Sequence, residues 1–174
     1  SPQTERDVLD AVPGAAVLAI STSEKEYFRQ IGVTNPVELC EYDGLLECDR
    51  YRVMPAAFAT RRLLFHASGN PMNRAAIDWF LDNCWSSILR AVPDATLVLC
   101  GAICSHVDRS TPGVEMHGIV SRDRLMEILG TASVAINPTL SGTGLKIKTV
   151  EAICAGMPSV CLPAAIEGLE DVAS

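Results

Sequence analysis

The sequence predicts an α/β domain, a parallel sheet with helices on both faces, and three observations carry that prediction. Short apolar runs alternate with amphipathic segments of helical period. Gly, Pro or an N-capping residue punctuates most of the changeovers. The chain has 174 residues, 48% of them hydrophobic and 20% charged, enough for a sizeable core.

Taken in order, Ala15 to Ile20 is a short apolar run that reads as a strand. Ser21 and Glu24 form a capping box for a helix to about Ile31, which Gly32 stops. Pro36 to Cys40 reads as another short strand. Glu41 to Arg62 has poor periodicity and is taken as a linker or irregular crossover. Leu63 to His66 is a buried strand, and the loop Ala67 to Met72 follows it. Asn73 is expected to cap a long helix with Ala76, Ile77, Phe80, Leu81, Cys84, Ile88 and Leu89 as its apolar stripe. Trp79, Phe80 and Trp85 are read as helix packing.

Pro93-Asp94 turns the chain into a strand from Thr96 to Cys100, ended by Gly101. Val114 to His117 is a further strand, closed by Gly118. Ser121 caps a helix through Leu129, and Ala132 to Ile136 returns as a strand. The loop from Asn137 to Thr143 leads to a helix from about Gly144 to Ala155. Gly156 and Pro158 end that helix before the strand Ser159 to Leu162.

Composition excludes several classes. A net charge of −7 opposes a general nucleic-acid or anionic-membrane surface, which needs a basic field. No apolar run approaches the ~20 residues of a membrane span. No signal peptide is visible at the start. The absence of an initiating Met and a last segment resembling a helix just beginning lead to the expectation of a piece of a longer protein. Seven cysteines without a Cys-x2-Cys pair suggest buried free thiols in a reducing compartment, hence a cytoplasmic location. Cys84, Cys100, Cys154 and Cys161 lie in apolar runs. The spacing of Cys100, Cys104 and His106 fits no common zinc pattern, so no metal site is expected.

The informative stretch runs from Ser141 to Ala152, between a strand's C-terminal end and the next helix, where α/β sheets bind ligands. Glycines there uncover backbone amides, and a helix N-terminus adds a positive dipole suited to phosphate. Lys146 and Lys148 oppose that dipole, at roughly 0.3–1 kcal/mol each when exposed. A bound diphosphate removes the conflict; a pairing of Lys148 with Glu151 is the alternative. Gly142-x-Gly144 runs on to Ile147, so the G-x-G-x-x-G fingerprint fails, and no Walker-type phosphate loop exists. Of the histidines, His66 ends a strand near this loop and is weighed as structural before ligand-touching.

On these residues the chain resembles the C-terminal, donor-binding domain of retaining GT-B glycosyltransferases of the broad group 1 type. Leu63 to Phe80 is similar to that domain's first strand, loop and helix. Gly118 to Pro138 is similar to its base-binding loop, helix and strand. Gly142 to Val160, with its lysines, Glu-Ala and Gly-x-Pro, is the most specific. The resemblance covers about Leu63 to Asp171, and residues 14 to 40 look like the end of the preceding acceptor domain.

The resemblance implies a Rossmann-like domain at residues 63–174, a linker at 46–62 and an acceptor-domain remnant at 1–45. It implies that Glu151 hydrogen-bonds the donor ribose and that the amides of Gly144 and Leu145 contact the diphosphate. Ile119, Val120 and Ser121 would line the base. Ser68, Gly69, Asn73 and Thr143 complete the expected donor contacts, with Lys146 and Lys148 as the groups that stabilise the leaving diphosphate without a metal. At position 143 the family's Glu-x7-Glu motif has an acid and this chain has Thr143. The family's usual basic residue after the first strand is not clearly present, Arg74 being a near neighbour. The expected partners are a nucleotide-diphosphate sugar, as substrate with no further cofactor, and the missing N-terminal domain. The competing expectations are a GT-B sugar-nucleotide epimerase and a degenerate domain retained for assembly.

Overall fold

The computed structural model describes residues 1–40, 59–142, 145–167 and 169. Most of the expected linker, together with Thr143, Gly144 and most of the terminal segment, lies outside these residues. The chain divides into a smaller unit built on residues 1–40 and a larger one built on 59–142 and 146–165.

In the smaller unit, α1 (Pro2–Leu9) precedes β1 (Val17–Ala19), α2 (Thr22–Gln30) and β2 (Val37–Leu39). The two strands pair in parallel, Val17 against Val37. Val17, Ala19 and Phe28 form its small core. The amide of Glu24 donates to Ser21 Oγ at 3.1 Å, and the Glu24 carboxylate accepts from the Ile20 amide at 2.7 Å. Glu24 thus reaches one residue beyond the N-cap. Helix α1 was not anticipated, although Ser1 caps it and Pro2 occupies its first turn.

The larger unit holds β3 (Arg62–His66), α3 (Pro71–Phe80), a wide π-helical turn (Leu81–Trp85) and α4 (Ser86–Ala91). It continues with β4 (Thr96–Cys100), β5 (Val114–Gly118), α5 (Arg122–Leu129), β6 (Val134–Asn137), α6 (Ile147–Cys154) and β7 (Ser159–Cys161). Its five strands are all parallel in the order β5-β4-β3-β6-β7. Because strands alternate their side chains, both faces are apolar. Phe65, Leu97 and Leu99 pack with Ala76, Ile77 and Phe80 of α3. Leu64, Val98 and Cys100 pack with Leu125, Ile128 and Leu129 of α5 and Ala152 of α6.

Three expectations need correction. The cap of α3 is Asn70, whose Oδ1 accepts from the Asn73 amide at 2.8 Å. Pro71 then fills the first turn, where its missing N–H costs nothing. Second, the helix is not continuous in phase. The π turn at Leu81–Trp85 inserts extra backbone, so Trp85 is buried while Cys84, Ile88 and Leu89 are only half-buried. Third, of the thiols expected in the core, Cys100 is buried, whereas Cys84, Cys154 and Cys161 are half-buried.

Candidate functional site

The larger unit's strands, renumbered within it, have the order 3-2-1-4-5, and the direction of winding reverses between β3 and β6. At such a reversal the following loops part and leave a crevice at the strands' C-terminal ends. The described residues of these loops are 67–70 after β3 and 138–142, 145 and 146 after β6. Gly101 backs the first of them: with φ +95°, a Cβ on it would stand 2.2 Å from the Ala67 carbonyl oxygen. Below the second loop, Asn137 donates to Thr149 Oγ1 at 2.8 Å and Thr139 donates to Asn137 Oδ1 at 2.6 Å. Thr149 in turn donates to the Ala165 carbonyl at 3.0 Å. This buried polar chain is paired at every link, so it rigidifies the base of the crevice.

Helix α6 begins against local preference. Lys146 is its N-cap and gives no side-chain cap, no acid lies in the first turn, and Lys148 is its second residue. Lys146 Nζ donates to the Gly142 carbonyl at 3.1 Å. Lys148 Nζ donates to Asn73 Oδ1 at 2.5 Å and lies 5.1 Å from the centre of the Phe65 ring. Burial, reinforced by the Lys146 charge, pulls the Lys148 ammonium down to about 8. Asn73 is buried, and its Nδ2 donates to Ser68 at the carbonyl (3.0 Å) and at Oγ (3.1 Å).

His66, at the end of β3, shares a cavity of about 30 Å³ with Asn137, Lys148, Thr149 and Glu151. Burial pushes its imidazole below the ordinary range, against the pull of Glu151 and with the push of Lys148. Glu151 faces Arg122 across 3.9 Å, which links the start of α5 to α6.

The structure therefore brings together Ser68, Asn73 and Lys148, with Lys146 beside them. Gly69 lies in the same loop, its carbonyl accepting from Arg74 Nε at 2.7 Å. Ile119 is 83% exposed and Val120 packs on the α5 face of the core. Ser121 spends its side chain capping α5 through the Arg124 amide at 3.3 Å. Leu145 groups with the smaller unit. Thr143 and Gly144 lie outside the described residues. Lys148 gives its bond to Asn73, while the acid expected to compete for it faces Arg122.

Arg122 escaped the sequence reading. Its signal was available: a basic residue at the first position of α5 opposes the macrodipole as Lys146 and Lys148 do. Among the described residues no group of three or more His, Cys, Asp or Glu side chains is placed to hold a metal ion. No helix among them is long and apolar enough to cross a membrane.

A doubly wound parallel sheet with a lysine-bearing crevice at its switch point defines a Rossmann-like domain suited to an anionic nucleotide. The family model described as "Glycosyl transferases group 1" matches residues 60–173, and the chain belongs to that family. No curated protein matches the chain. Among solved structures, HepE of Anabaena in complex with UDP-glucose aligns with a TM-score of 0.69 at 16% identity. The alignment covers 99% of this chain and 51% of that one. HepE in complex with UDP and glucose aligns with a TM-score of 0.68 over the same shares. AviGT4, a glycosyltransferase involved in avilamycin A biosynthesis, aligns at 0.50 and 19% identity, covering 89% of this chain and 46% of its own. The chain thus spans about half the length of these structures.

Proposed function

We propose that this chain carries the donor-binding half of a glycosyltransferase, and that a nucleoside-diphosphate sugar binds in the crevice between β3 and β6. The observation that carries the reading is the half-buried Lys148 at the switch point, held above β3 by Asn73. A cation kept there at a cost in solvation gains most from an anionic ligand.

In this reading the diphosphate lies over the start of α6, where Lys146, Lys148 and the positive end of the helix dipole face it. When the bond between the sugar's anomeric carbon and the β-phosphate oxygen breaks, charge grows on that oxygen. Lys146 and Lys148 stabilise this charge without needing to be reorganised. Glu151 takes the ribose hydroxyls, a role consistent with its place beside His66 and Arg122. Ile119 and Val120, on the loop after β5, line the base largely through backbone atoms. Residues 1–45 belong to an acceptor-side domain. The nucleoside diphosphate leaves, and the anomeric carbon forms its new bond to a nucleophilic atom of the acceptor, which gives up its proton, with retained configuration.

The UDP complexes of HepE make UDP the first ligand to try. A thermal-shift screen against UDP, GDP, ADP, TDP and CMP tests the reading, repeated with Glu151→Ala and Lys148→Ala. Selective stabilisation by one diphosphate, lost in both variants, is the expected result. A well-folded protein that none of these ligands stabilises would overturn it.

A further inference from the structure

Resting on the donor reading, we propose that Asn73 is a positioning residue, acting on the diphosphate only through Lys148, whose amino group it holds over the crevice. The hydrogen-bond inventory of a primary amide leaves little choice of orientation. Nδ2 can only donate, and it is committed to the Ser68 carbonyl at 3.0 Å and Ser68 Oγ at 3.1 Å. A carbonyl oxygen can only accept, so a flipped amide would set oxygen against oxygen there. Oδ1 is thereby aimed at Lys148 Nζ, 2.5 Å away.

The backbone of the same residue is tied down independently, its amide donating to Asn70 Oδ1 at 2.8 Å. Asn73 is 7% exposed, so its amide reaches the crevice through the lysine and not directly. The result is a chain of bonds from the loop after β3 to the start of α6, joining residues 75 positions apart in sequence. A lysine has four rotatable side-chain bonds, and without an acceptor in this place Lys146 would repel Lys148 toward water. Among the described residues, Lys146, His66, Glu151 and the Cys161 thiol are the other titratable groups around it.

The test follows Lys148 itself by heteronuclear NMR titration of its side chain in the intact protein. The midpoint is expected near 8 in the wild type, and in Asn73→Ala it should climb toward 10.5 as the amino group moves into solvent. Asn73→Asp keeps the shape and the acceptor, and its carboxylate should also raise the midpoint. An unchanged midpoint in either folded variant overturns the proposal. UDP binding by calorimetry adds a cycle: Asn73→Ala and Lys148→Ala should each weaken UDP on the order of tenfold, and the pair together no more than either alone. Losses that multiply would place Asn73 on the ligand independently and overturn the proposal. A wild type that binds no UDP sinks the donor reading, while the titration still decides the role of Asn73.

Discussion

Helices α5 and α6 lie on the same face of one sheet and both carry a basic residue in the first turn, Arg122 in α5 and Lys148 in α6. Only α5 offsets it. At α5, Ser121 caps the Arg124 amide and Asp123 supplies an acid in the first turn. At α6 no side chain caps the start, no acid lies in the first turn, and Lys146 and Lys148 stand where negative charge is favoured. Both helices bury the same kind of apolar face in the same core. Packing therefore holds α6 in place despite the charges at its start. Local rules broken inside a well-packed scaffold are where function is to be sought.

The contrast can be broken most severely through the scaffold. Trp85 is buried against Phe80 and donates to the Pro112 carbonyl at 2.8 Å, so Trp85→Ala should cost about 3–5 kcal/mol in chemical denaturation. A smaller loss would show that the π turn repacks.

Lys148→Met should do the reverse, weakening UDP about 10- to 100-fold in calorimetry while leaving stability unchanged or raised. The pH dependence follows the same logic. The folded-state value near 8 lies below the ordinary 10.5, so between these values the unfolded chain binds more protons. The contribution of Lys148 to stability must therefore rise from pH 8 to 10.5, as the cost of burying its charge disappears. UDP affinity should fall over the same range as the cation is lost. Affinity that holds constant to pH 10 would remove Lys148 from the diphosphate.

The helix starts themselves give the smallest effects. Ser121→Ala should destabilise by about 1 kcal/mol in thermal denaturation. Lys146→Asp should stabilise α6 by roughly 0.3–1 kcal/mol while weakening diphosphate binding. A destabilised Lys146→Asp would mean that the bond to Gly142 outweighs the dipole.

Much of this was readable in the chain. Strand β4 ends where Gly101 puts it and helix α5 starts where Ser121 puts it, because a glycine or a cap acts on its immediate neighbours. The loop after β6 stood out because two lysines at a helix start conflict with an effect only one turn long. The start of α3 was misread because Asn70 and Asn73 are both credible caps, and the Pro71 that decides between them was passed over. Phase beyond Phe80 was lost because the wide turn leaves no signature in an apolar periodicity.

By itself, then, the sequence determined the kinds of elements, most of their ends, and the lysines at the head of α6, all properties of a few adjacent residues. Tertiary structure alone decided the order β5-β4-β3-β6-β7, and with it the place where the crevice opens. It also decided that Lys148 meets Asn73 and that Glu151 faces Arg122. Those pairings depend on which strands become neighbours. Long-range packing of two apolar faces sets that, through crossovers that no short window of sequence contains.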